Sequence, residues 1–454
     1  MPTNLATEPR PLLSAGVTYP GETAFNDPCP PPEYYAANAL PPPPTTQLHG
    51  DIRSDFVIIG GGFTGMSTAV HLGMLGLRST IVENRSIGSG ASSRNFGQVV
   101  PYLKHNPATL IAKLGAQQAE RLIEQTGRGP DLVFNLIEKF GIACSSTRVG
   151  LIFALHSESG RKSLEQRTQY WQKRGAPVDL LDATATEQLI GSKYYSMSAL
   201  DHRGGTINPL GYVRGLARVA IEMGCTVFTN SPVIKIQKTN DGWSVQTPNG
   251  LINAKRVILT TNGYTTSRIW SRLKDSIIPM RAYQVISDPL PQHIAQRILH
   301  QGHALTDTRH LFSGVRMYPD GRIHVGVDGP AFQSGKQAML YKASDRIRKL
   351  FPDINDVQWR YEWSGWVAMT YDQIPHLHEL EPGLWAGLGY SGRGIAHATM
   401  MGRDLAYAAS DHSNAEKTFE VTSMKPRLTS RFARPLVGSL LNYYRLLDLL
   451  AERR

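Results

Sequence analysis

Cysteine is scarce in this sequence. Cys29, Cys144 and Cys225 are the only three in 454 residues. Their odd number and wide spacing argue against a disulfide framework and against a thiolate metal cluster. No uninterrupted apolar run of about 18 residues occurs, so no membrane-spanning helix is expected. Residues 1–20 lack a basic start followed by an apolar core. No secretory signal is therefore expected, and a cytoplasmic location is the default. Finger, RNA-binding and helix-turn-helix signatures are also missing. The formal charge of +11 comes from 48 Lys and Arg against 37 Asp and Glu, and the basic residues are scattered until the C-terminus. Nucleic acid is not an expected partner. His376 and His378 stand two apart without an evident third ligand, so no metal is expected.

What is present begins at Ser54-Asp55-Phe56-Val57-Ile58-Ile59-Gly60-Gly61-Gly62-Phe63-Thr64-Gly65. Phe56 to Ile59 reads as a short buried strand, and a helical pattern follows through Met66, Ala69, Val70, Leu72 and Leu75. Gly60, Gly62 and Gly65 have dinucleotide-fingerprint spacing: a tight turn, a close approach to pyrophosphate, and close helix–strand packing. The helix N-terminus offers N–H groups to phosphate. A second strand, Ser79 to Val82, ends at Glu83, 23 residues after Gly60. An acid there meets a ribose 2′-hydroxyl and favours FAD or NAD over NADP.

Ahead of this unit, residues 1–50 form a proline-rich arm with Pro28, Pro30 to Pro32 and Pro41 to Pro44, which favours extended chain. Tyr34 and Tyr35 interrupt it with one possible helical turn. After it comes Gly88 to Gln98, polar, glycine-rich and aperiodic. Ser92, Ser93, Arg94, Asn95 and Gln98 are candidates to line a bound cofactor or reach substrate. Helical patterns cover 107–140, 159–174, 209–224, 336–350 and 395–409. A helix start follows Leu181, with Thr184 or Thr186 as its cap. Arg256 to Leu259 is a strand running into Thr260-Thr261-Asn262-Gly263, a strand end of the kind that meets ligands in a doubly wound sheet. Leu311 to Val327 reads as a hairpin. Gly383 to Gly394 repeats the order strand, glycine turn, helix, and is a second candidate anion cradle.

Taken together, Gly60 to Gly65, Gly90 to Gln98, Trp363-Ser364-Gly365 with Thr370, Asp372 and Pro375, and Gly389 to Ala396 resemble the FAD-dependent D-amino acid oxidase-like superfamily. With the tail Leu441 to Leu450, the resemblance is to its gamma-glutamylputrescine oxidase-like branch. It covers nearly everything from Tyr34 onward.

The resemblance implies an α/β fold: an FAD-binding Rossmann-like domain with an inserted mixed-sheet α+β substrate domain. The FAD-binding domain is expected at 51–110, 185–265 and 365–410, and the substrate domain at 111–184 and 266–364. A basic tail with an amphipathic helix takes 411–454. Its expected role is packing on the body or another subunit, with contact to an anionic membrane as the alternative. Expected FAD contacts are Gly60, Gly62, Phe63, Thr64, Gly65, Glu83, Asn84 and Arg85, then the five loop residues already named. Val233, Thr261, Gly263, Gly389, Gly392, Arg393, Gly394 and Ile395 complete the set. No cysteine follows Cys225, and the loop offers Ser93-Arg94-Asn95 rather than histidine, so FAD is expected to be non-covalent.

The implied reaction oxidises a C–N bond to an imine, which water hydrolyses, with electrons passing to oxygen or another acceptor. A small-molecule amine bearing a distant carboxylate is the expected substrate. Another secondary amine or an amino acid, handled by an oxidase or dehydrogenase, is the alternative. The oxygen-activating lysine of some relatives has no match here; the hairpin carries Arg322 and His324. Such chemistry needs positioning more than a strong base. Arg316 is the leading carboxylate candidate because its fork suits bidentate binding, with a structural ion pair as the alternative. Tyr318, Arg281, His324 and Trp363 are the other candidates for the catalytic cavity.

Overall fold

The computed structural model describes residues 31–328, 336–354, 356–410, 412, 416–424, 443–444, 446–448 and 450–451. Cys29, most of the proline-rich arm, and the tail residues Lys425, Arg427, Arg431, Arg434, Arg445, Arg453 and Arg454 lie outside them.

Two eight-stranded sheets organise the chain. The first is built around Gly50–Ile59, whose last four residues are fully covered. That strand pairs in parallel with Thr80–Val82 on one side and Gly250–Leu259 on the other. Thr226–Phe228 extends the sheet beyond Thr80–Val82. Leu384–Leu388 joins the far half of Gly250–Leu259 in parallel, while Gly242–Gln246 pairs antiparallel with its near half. Strands covered on both faces read as continuous apolar runs, which is why Val57-Ile58-Ile59 and Val257-Ile258-Leu259 show no alternation. Helix Phe63–Met74 lies against this sheet beside helix Gly394–Ala409. Ser67 Oγ donates to the Thr399 carbonyl across that contact, at 2.7 Å.

The second sheet runs in the order Trp359–Thr370, Ile277–Ser287, Ile323–Asp328, Ser313–Met317, Ala304–Asp307, Leu151–Ala154, Ser198–Asp201, Val178–Leu181. It is mixed: Ala304–Asp307 and Leu151–Ala154 are parallel, and the other pairs are antiparallel. The expected hairpin at 311–327 is its Ser313–Met317/Ile323–Asp328 pair.

Sheet membership does not follow the expected domain limits in two places. Ser198–Asp201 belongs to the second sheet, although 185–265 was assigned to the first domain. With two apolar residues it is too short to announce itself. The limit at 365 falls inside the continuous strand Trp359–Thr370. The helix after Leu181 is capped by Asp182, not by Thr184 or Thr186. The Asp182 carboxylate accepts from the Ala185 N–H at 2.9 Å, so the cap lies two residues before Thr184.

The arm's helical turn is Glu33–Ala37, and Tyr35 is buried. Tyr35 Oη donates to the Asn95 carbonyl at 2.9 Å. Asn208 Nδ2 donates to the Tyr35 carbonyl, while its Oδ1 caps helix Pro209–Glu222. Tyr35 thus ties the arm to the glycine-rich loop, and Asn208, which starts a helix, ties the arm to that helix. Among the described residues, no helix is long and apolar enough to cross a membrane.

Candidate functional site: a cleft and an adjoining cavity

The glycine turn does what its spacing demands. Gly60 has φ +113°, a conformation side chains rarely adopt. A Cβ on Gly65 would collide with the Gly60 carbonyl, so only glycine lets the helix start this close to the strand. A Cβ on Gly62 would stand 2.8 Å from Ser92 Oγ, in the open face of the cleft. Helix Phe63–Met74 begins here, and Ser92 Oγ receives the Phe63 N–H at 2.9 Å. Glu83 sits at the end of the neighbouring strand. Its carboxylate accepts from the N–H groups of Gly61 (2.6 Å) and Arg85 (2.9 Å). Burial raises the Glu83 carboxyl above its ordinary range, and those two N–H groups oppose the rise.

These residues wall a cleft of about 290 Å³. Of the expected FAD contacts, Gly60, Gly62, Phe63, Thr64, Glu83, Asn84, Arg85, Ser92, Asn95, Val233, Thr261, Gly392 and Gly394 line it. Arg94, Gln98, Arg393 and Ile395 instead line an adjoining cavity of about 460 Å³. Gly65, Ser93, Gly263 and Gly389 line neither. Gly389, at φ +85°, donates its N–H to Asn262 Oδ1 at 2.9 Å. Cleft and cavity share Ala91, Asn95, Arg281, Gly365, Trp366, Val367, Ser391, Gly392 and Gly394. At this seam small residues dominate: a Cβ on Gly365 would stand 2.9 Å from Arg94 Cβ.

FAD fits this wall. Two helix N-termini, at Gly62 and Arg393, open onto it. The acid stands where a ribose is met, and glycine keeps side chains out of the space nearest the first helix. In the adjoining cavity, Gln98 Nε2 and Arg393 Nε are buried donors without a hydrogen-bond partner among the described residues, as donors facing a ligand would be.

The expected cavity residues divide differently. Arg281 lines both spaces, with Nε donating to Ser364 Oγ at 3.0 Å and its guanidinium between Tyr283 and Trp366. Arg316, Tyr318, His324 and Trp363 line neither. Arg316 is buried, and its Nη1 and Nη2 donate to the Phe96 and Ile207 carbonyls and to Thr206 Oγ1, at 3.2, 3.4 and 3.2 Å. Its fork is spent on backbone, where it clamps the loop after Asn95. His324 lies between Tyr318 Oη (3.1 Å) and Gln284 Oε1 (2.9 Å). Burial, aided by the Arg316 charge, holds its pKa well below the usual imidazole range. Trp363 Nε1 donates to the Arg94 carbonyl at 3.0 Å. Together with Tyr34 and Tyr35 they form an aromatic cluster behind the loop. Arg94, also buried, donates to the Ser89 and Ser364 carbonyls and joins loop to second sheet.

The residues that do face the cavity include Lys104, Arg167, Arg309, His310, Phe312, Asp307, Asp328 and Tyr444. Sequence reasoning singled out His310 alone among them, as an imidazole able to titrate near neutral pH, and missed the rest. Lys104 lines the cavity with its side chain still exposed to solvent, and neighbouring chain crowds it. Desolvation, with the Arg393 charge adding, lowers its pKa to about 8. Arg167 packs over the rings of Tyr102 and Phe153. Asp307 is engaged by Arg346 Nη2 at 2.6 Å, by Tyr195 Oη at 2.9 Å and by Arg309 Nη1 at 3.5 Å. The one signal available was position: Arg309 and His310 follow the strand Ala304–Asp307 after one intervening residue. Among the described residues no group of three metal-ligating side chains is present. His376 instead bonds Asp372, and His378 bonds the Thr422 carbonyl.

This geometry has parallels among known proteins. The chain is 28% identical over 377 residues to gamma-glutamylputrescine oxidoreductase of Escherichia coli, covering 82% of this chain and 87% of that one. It is 27% identical over 400 residues to a probable oxidoreductase, OrdL, of Haemophilus influenzae, covering 87% and 92%. Its fold matches the crystal structure of glycine oxidase from Geobacillus kaustophilus with a TM-score of 0.68 at 21% identity, over 84% of this chain and 100% of that one. Residues 55–408 match the family model for FAD-dependent oxidoreductases of the DAO type. With that match spanning both sheets and the whole cleft, the chain belongs to the DAO family of FAD-dependent oxidoreductases.

Proposed function

We propose that the protein oxidises the C–N bond of an amine that carries a carboxylate at a distance, a gamma-glutamylated amine being the first choice. FAD, when bound, supplies the two-electron oxidation that turns the C–N bond into an imine, which water hydrolyses to a carbonyl compound and an amine. The chain's own residues bind and orient. Gly62, Glu83 and the two helix N-termini would hold the cofactor, and Arg281 stands at the seam, within reach of both cofactor and substrate. FAD is held non-covalently in this reading, since the lining of the cleft carries neither cysteine nor histidine among the described residues.

One observation carries the substrate reading. Lys104, Arg167, Arg281, Arg309 and Arg393 all face the cavity, against Asp307 and Asp328. Asp307 is already bound by Arg346 and Arg309, and Asp328 lies 3.5 Å from Lys342. The surplus is cationic and suits an anionic group. The relative named for gamma-glutamylputrescine points to the same chemistry. Electrons are proposed to pass on to oxygen.

Anaerobic mixing with gamma-glutamylputrescine, simple secondary amines, polyamines and amino acids of both hands tests this. The expected result is fastest bleaching of the flavin by the gamma-glutamylated amine. Fast bleaching by neutral or purely cationic amines, with none by acidic ones, overturns the carboxylate reading. Admitting air afterwards tests the acceptor: slow reoxidation in air but fast reoxidation by a dye would remove oxygen from the proposal.

A further inference from the structure

The C-terminal segment supplies a wall residue to the cavity. Tyr444 lines it beside His310, Leu311 and Phe312, although it stands 78 positions after the seam residue Trp366 and further still from His310. Its ring stacks on the His310 imidazole, 134 positions earlier in the chain, with centroids 5.2 Å apart and planes 9° apart. One turn later, Asp448 is buried and grips the same loop through three contacts. Oδ1 receives the His310 N–H at 3.0 Å and lies 2.7 Å from His310 Nδ1, while Oδ2 receives the Leu311 N–H at 3.3 Å. Residues four apart share one face of a helix, so Tyr444 and Asp448 turn inward together. Tyr443, Leu446 and Leu450 remain exposed.

We propose that this segment is a built part of the substrate site: Tyr444 contacts the distal part of a long amine substrate, and His310 and Asp448 position it. The inference rests on the reading that the cavity takes the amine. An aromatic face suits the methylene spacer between an oxidised amine and a remote charged end, since it covers apolar atoms without adding charge to a cationic wall. Asp448 satisfies two backbone N–H groups and an imidazole at once, and that fixes the ring against the loop rather than leaving it to a single stacked contact. Tyr444 is thus a specificity residue, and Asp448 and His310 are positioning residues.

The experiment uses the full-length holoenzyme with Tyr444→Ala, Tyr444→Phe and Asp448→Ala. Half-saturation is measured with gamma-glutamylputrescine and with a short amine, sarcosine. Tyr444→Ala and Asp448→Ala should raise half-saturation for the long substrate by about fivefold, as the loss of one well-packed aromatic contact does, with kcat little changed. Sarcosine should be unaffected, and Tyr444→Phe should behave as wild type. A second readout needs no turnover: quenching of flavin fluorescence by acrylamide should rise in the two alanine variants and stay at the wild-type level in Tyr444→Phe. Equal effects on both amines, or unchanged quenching in Tyr444→Ala, overturns the proposal. If no amine bleaches the wild-type flavin, the functional reading has failed, and the quenching comparison still decides whether Tyr444 walls the cavity.

Discussion

The cleft and the cavity beside it are made from different materials. The cleft is walled by backbone and small side chains: Gly60, Gly62, Ser92, Thr261, Gly392 and Gly394. The cavity is walled by long charged and aromatic ones: Lys104, Arg167, Arg309, Phe312 and Tyr444. A backbone wall recognises a phosphate or a ribose that is the same in every flavoprotein, and its demand on sequence is a strict pattern of glycines. A side-chain wall recognises what is peculiar to one substrate, and it can be assembled from any element that points inward. In the proposed reading the cleft therefore carries what is common to the family and the cavity what is particular to the substrate. Substitutions in the first should remove the cofactor, and substitutions in the second should leave it bound.

The largest effect is expected from Gly65→Val, where the added carbon meets the Gly60 carbonyl, backbone that has nowhere to go. FAD content after gel filtration should fall to background, with a loss of about 3 kcal/mol or more in stability. Retention of full flavin absorbance would break the contrast at its root. Next is Arg281→Ala at the seam. Losing a charge-assisted contact of about 2 kcal/mol should cost roughly 30-fold in the rate of flavin bleaching at low substrate, at unchanged FAD content. A fall in FAD content instead would make Arg281 chiefly a cofactor-holding residue of the cleft.

Arg316→Lys sharpens the contrast from the opposite side. A lysine cannot span the Phe96 and Ile207 carbonyls and Thr206 together, so thermal unfolding should report about 1.5 kcal/mol of lost stability. Half-saturation for substrate should not change; a rise would return Arg316 to the substrate site.

The smallest effect concerns His71, on the helix that begins at the cleft. Burial lowers its pKa to about 4 from an ordinary 6.5, so the folded chain holds it neutral. A lowered folded pKa means stability present above 6.5 and lost as pH falls toward 4. The difference between wild type and His71→Gln should narrow by about 1 kcal/mol between pH 6.5 and about 5.5 in denaturant titrations, because only the wild type must charge that group to unfold. Parallel pH profiles would show that His71 is not a proton-linked site.

Much of the first sheet and its cleft was legible because its information is local. Strand, glycines, helix, strand and acid all fall between Ser54 and Glu83, and each has one physical reason to be there. The second cradle at Gly389 to Gly394 was read from the same grammar. The cavity was far less legible. Arg316 sits in a strand with apolar neighbours, and period-two alternation says that it faces the opposite side from Val315 without saying which side is the cavity. It faces the loop at Phe96. Lys104 and Tyr444 have no local pattern at all, since what makes them wall residues is the path of distant chain. Ser198–Asp201 was missed for a different reason: its place is decided by pairing with Leu151–Ala154 and Val178–Leu181, not by its own four residues.

The parallel pairing of Gly50–Ile59 with Gly250–Leu259, and of that strand with Leu384–Leu388, also has a consequence for how the protein is made. The fingerprint emerges from the ribosome early, but its sheet partner is about 200 residues behind and the second helix N-terminus more than 300 behind. At ordinary elongation rates of about 5–20 residues per second, the first strand waits some tens of seconds with an apolar edge uncovered. During that interval the nascent chain has half of a cofactor site and nothing to close it. The FAD site should therefore become complete only once the stretch around Leu384 to Ala409 has been synthesised.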